Sequence, residues 1–331
     1  MGFRSYLVKR IAVAILVLYV VASLNFVIFQ VASPVDPVSI IMDPKFTEEM
    51  KELLRIQYGL HGPLHERYLR YVQSMLTWNF GFSFDTLRPV TEELAWRLPN
   101  TVILLGTALV GTIIIGIPMG ILAASRRGTK IDVAAIGSGL LAWGVPTFFI
   151  QLLFVLFFCW YLFLWFGIRF PLRGMTADVP PTNPILYMAD VAWHFALPIT
   201  SLVLASFGSW ALYIRNLLVD ALTQDYIVTA RAKGLTERTV LYRHAFRSTL
   251  PPVVTMITLS IPGIVTGAMI TEWIFTLPGI GRWYLLAMQH ADYPVVQAVL
   301  FIYAFLMILA NLLADLIYGM LDPRIRVGMR R

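Results

Sequence analysis

Residues 220–252 read DALTQDYIVTARAKGLTERTVLYRHAFRSTLPP, the longest polar interruption in the hydrophobic C-terminal half of the chain. Tyr226, Ile227, Ala230 and Gly234 recur within it at helical spacing, which predicts a short amphipathic helix. Gly234 is expected at the left-handed end of this helix, because glycine has no Cβ to clash in that conformation. The pattern therefore predicts two short helices joined at a glycine.

The second of these helices is expected to begin at Thr236, whose hydroxyl can cap it, with Glu237 in its first turn. Pro251 and Pro252 are expected to end it. Its basic residues are Arg238, Arg243, His244 and Arg247. We call residues 220–252 the shelf. On its own, such a basic segment between two apolar stretches is usually a solvated loop that obeys the positive-inside rule.

The composition of the whole chain indicates a polytopic membrane protein. Of its 331 residues, 58% are hydrophobic and 14% are charged, whereas soluble domains average about 25% charged residues. The net charge of +7 lies mostly in short loops between apolar stretches, so no nucleic-acid partner is expected. The single cysteine, Cys159, excludes an intramolecular disulfide framework and is expected to be a small hydrophobic residue within the membrane.

Six apolar stretches predict an all-α integral membrane protein with six transmembrane helices. They cover residues 11–31, 99–124, 133–166, 197–219, 253–276 and 295–321. The third is too long for one straight span; either Gly144 and Pro146 kink it, or it is one span with an extended outer end. Six spans with both termini in the cytoplasm place most Lys and Arg residues inside, the shelf included, and leave Arg169, Arg173 and Arg282 in short outer loops.

Two carboxylates lie within the expected spans, Glu272 and Asp315, and such residues are functional candidates. Glu272 stands near the outer end of the fifth stretch; it either contributes to an outer gate or extends to the membrane surface. For Asp315, a structural ion pair near the inner surface is expected. The sequence has no phosphate-binding GxxxxGK[ST] motif, no HExxH and no Cys/His cluster with metal-ligand spacing. Small-residue helix packing, rather than a serine protease site, explains Gly208-Ser209 and Gly137-Ser138-Gly139.

Several strings together resemble a known family. TARAKGL (229–235), RHAF (243–246) and LPP (250–252) resemble the cytoplasmic EAA loop of binding-protein-dependent ABC transporter permeases, although Val228 replaces the glutamate of that loop. LPGIG (277–281), ADYPVVQA (291–298) and NLLADLIYGMLDPRIR (311–326) resemble the B-type subunit of the dipeptide/oligopeptide/nickel permease branch. This resemblance covers nearly the whole chain.

The resemblance implies a type I ABC importer permease fold in the cell (inner) membrane. Its expected divisions are an N-terminal segment with the first transmembrane helix (1–31), an extracytoplasmic region (32–98) and a permease core (99–331) containing the shelf. The extracytoplasmic region, with helices expected over 46–58 and 63–78, either covers the outer mouth or contacts a solute-binding protein.

The same resemblance implies partners and residue roles. The partners would be a homologous second permease, two cytoplasmic ABC ATPases that hold ATP and Mg, and an external solute-binding protein. The chain itself is expected to be no enzyme and to bind no cofactor. The shelf residues expected to couple to an ATPase are Asp225, Tyr226, Ala230, Arg231, Lys233, Gly234, Leu235, Arg243 and His244, and the outer gate candidates are Glu272, Trp273, Pro278 and Gly279.

The function implied is uptake of a peptide or oligosaccharide, with nickel a third cargo of the branch. The alternative is a stand-alone secondary transporter or channel. A secondary transporter would typically show midplane carboxylates and internal repeats, and this sequence shows neither.

Overall fold

A computed structural model describes residues 3–31, 49, 56, 62–266 and 268–321. These residues are almost entirely helical and contain no β-strand beyond one isolated bridge between Phe82 and Pro89. The helices in chain order are α1 Phe3–Phe26, α2 Leu64–Leu76, α3 Val90–Ser125, α4 Lys130–Gly144, α5 Thr147–Phe154, α6 Leu162–Phe166, α7 Pro184–Leu222, α8 Asp225–Ala232, α9 Glu237–Thr239, α10 Arg247–Thr266, α11 Met269–Ile274, α12 Ile280–Gln289 and α13 Tyr293–Leu321. Three π-helical segments continue α1, α5 and α9: Val27–Val31, Val155–Tyr161 and Val240–Phe246.

Five helical stretches in the described part of the chain are long and apolar enough to cross a membrane. They are Val8–Val31, Val90–Ser125, Thr147–Phe166, Pro184–Leu222 and Tyr293–Leu313. The expected span over 253–276 corresponds to α10 and α11, and α10 starts in the polar shelf. The six-span count and the cytoplasmic termini therefore stay predictions. The helix expected over 63–78 is present as α2, whereas the one expected over 46–58 lies almost wholly outside the described residues.

The third apolar stretch is divided at the glycine and proline that the sequence singles out. Helix α4 ends at Gly144, and Val145 and Pro146 are extended, with ψ values of 129° and 131°. A proline disfavours the helical conformation in the residue before it and cannot donate to the preceding turn. Thr147 then begins α5, so the stretch forms two helices rather than one extended span.

One compact unit comprises residues 102–260 and 270–277. Within it, glycines allow α3 and α4 to lie directly against α7. A Cβ built at Gly120 would lie 2.6 Å from the Ala211 carbonyl oxygen, and one built at Gly139 would lie 2.8 Å from the Gly208 Cα. Because real Cβ atoms do not approach so closely, these positions need glycine, and the helix-packing interpretation is confirmed for them.

The other compact unit comprises residues 1–101, 261–269 and 278–331. Side chains of α1, α2, α12 and α13 form its buried core, which includes Phe26, Tyr71, Trp283 and Phe301. Aromatic contacts are frequent here; the Phe26 and Tyr68 rings, for example, meet edge to face with centroids 5.2 Å apart. Helix α2, which belongs to the N-terminal region, therefore packs into this core.

A single buried carboxylate fastens this N-terminal region to the start of α13. Asp292 accepts hydrogen bonds from the Ser83 hydroxyl (2.5 Å) and from the backbone N–H groups of Phe84 (3.0 Å) and Asp85 (3.2 Å). It also accepts a hydrogen bond from the Val295 backbone N–H in the first turn of α13, where an acidic cap is favourable. The carboxylate is 1% exposed, so these donors replace the water it loses.

Candidate functional site

The turn of the shelf has the predicted glycine geometry. Helix α8 ends in a Schellman motif, in which the Leu235 N–H donates to the Ala230 carbonyl (3.4 Å) and the Gly234 N–H donates to the Arg231 carbonyl (2.9 Å). Gly234 has a φ of +73°, and a Cβ built on it meets no atom within 4 Å. Gly234 therefore has the left-handed backbone conformation, and the space beside it is empty. The prediction for Gly234 is confirmed.

The second shelf helix begins as predicted but does not end where predicted. Thr236 caps it by accepting a hydrogen bond from the Thr239 N–H. The prediction that Pro251-Pro252 ends the helix is wrong, because the helix continues through them to Thr266. The Thr249 hydroxyl donates to the Phe246 carbonyl (2.8 Å) in the turn before the prolines.

Apolar side chains hold the shelf against the ends of α3 and α7. Ile227 and Ala230 of α8, with Val240 and Ala245 of the second helix, are buried in one cluster with Leu218 and other residues of α3 and α7. The two shelf helices are also joined by a hydrogen bond of 2.7 Å between the hydroxyls of Tyr226 and Ser248. Ala230 therefore packs within the shelf.

The opposite face of the shelf is exposed. Arg231 and Glu237 form a bidentate ion pair across the turn, with N–O distances of 2.8 and 3.1 Å. This hydrogen bonding lowers the pKa of Glu237. Exposed ion pairs contribute only about 0–1 kcal/mol, so the pair orients the turn more than it stabilises it. Of the other candidates, Asp225, Tyr226, Lys233, Leu235 and Arg243 are exposed and His244 is half-buried.

An ion pair that was not predicted from the sequence connects α7, the helix that leads into the shelf, to α4. Arg215 donates from Nε to Asp132 Oδ1 and from Nη2 to Asp132 Oδ2, both at 2.7 Å. The Gly128 backbone N–H also donates to Asp132 (2.9 Å). These interactions, the Arg215 hydrogen bonds first, lower the pKa of Asp132 to about 2. In the sequence, Asp132 stands out as an acidic residue next to a basic loop. The sequence does not show that its partner is Arg215, which lies 83 residues further along the chain.

Glu272, the first gate candidate, is completely buried in α11. The alternative in which it extends to the membrane surface is therefore wrong. The neighbouring Thr271 accepts a hydrogen bond from Gln151 Nε2 of α5 (2.7 Å), which fixes α11 within its compact unit. Gln151 was also missed, although a glutamine inside the apolar run TFFIQLLF was a usable signal. Trp273 is 45% exposed.

The end of α11 is strained. The Leu277 N–H donates to the Glu272 carbonyl (2.8 Å) in a Schellman motif whose left-handed residue is Thr276, with a φ of +52°. A β-branched residue is unfavourable in this conformation. The remaining gate candidates, Pro278 and Gly279, belong to the other unit, where the Pro278 carbonyl accepts a hydrogen bond from Asn100 Nδ2 (2.9 Å). The four candidates are thus divided between the two units.

Comparison with known proteins identifies the family. The profile of the binding-protein-dependent transport system inner membrane component matches residues 116–327, and that of its N-terminal region matches residues 3–105. The chain is 35% identical to the Bacillus subtilis oligopeptide transport system permease protein AppB, over 97% of this chain and 99% of AppB. It is 33% identical to the Escherichia coli dipeptide transport system permease protein DppB, over 97% and 98%.

A solved structure has the same fold. An inward-facing structure of the MetNI methionine ABC transporter aligns with a TM-score of 0.52 and 16% identity, covering 70% of this chain and 97% of that chain. The all-α fold, the apolar helices and the two profile matches agree with one another. The chain is therefore a multi-pass membrane protein that belongs to the binding-protein-dependent transport system inner membrane components, the permease subunits of ABC importers.

Proposed function

We propose that this chain is one of the two membrane-spanning subunits of an ATP-driven importer of peptides. The observation that carries this proposal is the full-length match to relatives named as oligopeptide and dipeptide transport permeases. An oligosaccharide cargo would suit the many aromatic side chains, but those also suit helix packing, as in the Phe26–Tyr68 contact. Peptide is therefore the proposed cargo.

The proposed partners follow from the family. A homologous second permease would complete the translocation path, and an external solute-binding protein would deliver the peptide. Two cytoplasmic ATPases would hold ATP and Mg, and this chain would hold neither. Six spans would place both termini and the shelf in the cytoplasm, region 32–98 outside, and the core at 99–331.

The shelf is the proposed contact with one ATPase. Gly234 at its open turn, the paired Arg231 and Glu237, and Tyr226 and Leu235 are all exposed. An exposed cluster of this kind, rimmed by charges, is typical of a protein–protein contact. Because the second shelf helix runs without interruption to Thr266, a displacement of the shelf would reach the membrane segment through a continuous helix.

The outer gate is proposed to involve α11. Glu272 is a buried carboxylate beside the Gln151–Thr271 hydrogen bond, and the strained Thr276 follows directly. Buried polar groups and strained backbone are both features of elements with two arrangements. Trp273, Pro278 and Gly279 are the other proposed gate residues.

Reconstitution tests the proposed function. The chain, its partner permease and both ATPases are inserted into liposomes with the solute-binding protein outside, and uptake of a labelled peptide is measured with and without ATP inside. ATP-dependent peptide uptake that unlabelled peptide, but not oligosaccharide, competes away is expected. The control contains ATPases unable to hydrolyse ATP.

Two results would contradict the proposal. Competition by an oligosaccharide, without competition by unlabelled peptide, would indicate that the cargo is an oligosaccharide and not a peptide. Uptake by this chain alone under an ion gradient, unchanged when the ATPases are omitted, would support the stand-alone transporter instead.

A further inference from the structure

A cleft of about 510 Å³ lies between the shelf and the ends of α3 and α7, entirely within the unit of residues 102–260 and 270–277. Three arginines from three separate segments line it: Arg127 from the loop after α3, Arg231 from α8, and Arg238 from the start of the second shelf helix. Glu237 also lines it. The wall therefore carries a surplus of positive charge.

Two of these arginines are available to a ligand. Arg231 is held by its bidentate pair with Glu237, so these two charges largely cancel. Neither Arg127 nor Arg238 makes a hydrogen bond or a short ion pair with any residue in the described part of the chain, although the charge of Arg127 also acts on the Asp132 carboxylate. Guanidinium groups bind phosphate through parallel hydrogen bonds, and two of them facing one cleft favour an anion with several acceptor oxygens.

The rest of the lining has two chemically distinct parts. Ala124, Val219 and Leu222, at the ends of α3 and α7, give one wall an apolar surface. Ser125 and Thr223 also line the cleft, and their hydroxyls donate to the Leu122 and Asp220 carbonyls. An apolar wall next to basic and hydroxyl groups, at the cytoplasmic end of membrane helices, is a form of site that suits a lipid headgroup.

We propose that this cleft binds a phosphate group, carried by an anionic phospholipid of the inner leaflet or by a soluble phosphate compound, and that the bound phosphate holds the shelf to α3 and α7. The inference rests on the proposed function only for the cytoplasmic position of the shelf. It adds a ligand in a cleft that borders the surface proposed to meet the ATPase and shares Arg231 and Glu237 with it.

The test uses the complete transporter with its ATPases in nanodiscs of phosphatidylcholine with increasing fractions of phosphatidylglycerol. Retained lipid is identified by native mass spectrometry, and amide hydrogen exchange of residues 220–252 reports shelf order. Wild-type protein should retain phosphatidylglycerol and exchange more slowly as its fraction rises. Arg127→Gln and Arg238→Gln should each weaken retention about fivefold, and about thirtyfold together. A second arm adds inorganic phosphate to nanodiscs of phosphatidylcholine alone; slowed exchange there identifies the soluble source.

Two controls keep the proposal falsifiable. Arg126→Gln removes a neighbouring exposed arginine outside the cleft and should change nothing. If the double glutamine variant does not assemble, Arg127→Lys with Arg238→Lys keeps the charges and should lose only part of the retention.

Equal loss in the Arg126→Gln control, or no effect of either phosphate source, would overturn the proposal. So would loss of the ATPases from Arg238→Gln with lipid retention intact, since Arg238 would then contact the ATPase. A transporter that takes up peptide normally without selecting phosphatidylglycerol or phosphate would refute this site alone. A complex without ATPases or uptake would refute the proposed function instead.

Discussion

Substitution of Gly234 separates a structural helix end from a docking contact. At a φ of +73° any residue with a Cβ is strained by about 1 kcal/mol. A Cβ at this position meets nothing within 4 Å, so a larger side chain begins in open space rather than in the packed interior. The isolated permease should therefore lose about the same stability with Ala, Leu or Trp.

A docked ATPase changes this expectation. If the turn enters a cleft on the ATPase, Ala should be tolerated, whereas Leu and Trp must overfill the contact, which typically costs about 1–3 kcal/mol. Such a cost weakens ATPase binding roughly 5- to 150-fold. The assay is co-purification of the ATPases with tagged, membrane-inserted permease carrying Gly234→Ala, Gly234→Leu or Gly234→Trp.

Gly167 provides the matched control. It ends α6 with a φ of +70°, and a Cβ built there also meets nothing within 4 Å, but it is expected in an outer loop. Gly167→Trp should have the same local strain and retain both ATPases. Full retention of both ATPases with normal transport in Gly234→Trp would refute the coupling role of the shelf.

Three further predictions concern topology, the gate and the ion pair. A cysteine replacing Thr236 should be blocked only by membrane-permeant reagents and one replacing Thr182 by impermeant reagents as well; the reverse pattern would overturn the six-span arrangement. Glu272→Gln should alter transport or basal ATP turnover with assembly intact, whereas wild-type values in both assays would reduce Glu272 to a packing residue. Asp132→Asn should lower the free energy of unfolding by about 2 kcal/mol, because it leaves Arg215 partly buried without its partner, and additive losses in the double variant with Arg215→Gln would contradict this. Since the pKa of Asp132 falls from 3.8 to about 2 on folding, its contribution should be complete above pH 3.8 and disappear as the pH falls towards 2, which thermal unfolding at several pH values can measure.

Local patterns predicted the shelf well because they depend on neighbours in sequence. The glycine turn and the Thr236 cap follow from residue types within one helical turn, and both are confirmed. The break between Gly144 and Pro146 follows in the same way from the geometry that proline imposes. The error at Pro251-Pro252 arises because proline removes backbone donors from a helix but does not always end it, above all in helices that cross a membrane.

Partners distant in sequence could not be predicted. The sequence around Arg215 and around Gln151 contains neither partner, and only the folded chain pairs these residues with Asp132 and Thr271. The burial of Glu272 was open for the same reason, because a carboxylate near a helix end can extend to the surface or be enclosed by other helices. The family resemblance supplied the shelf as a site, but it gave no indication of the arginine cleft behind it.

The Asp292 carboxylate also has a consequence for biosynthesis. Its bond to the Ser83 hydroxyl joins residues 209 positions apart, so the turn around Ser83, which leaves the ribosome early, lacks this contact until the start of α13 is made. At about 5–20 residues per second, the interval is about 10–40 s. A nascent chain released before Asp292 would lack the four hydrogen bonds on this carboxylate. The contact between these two regions therefore forms late in synthesis, after most of the chain has been made.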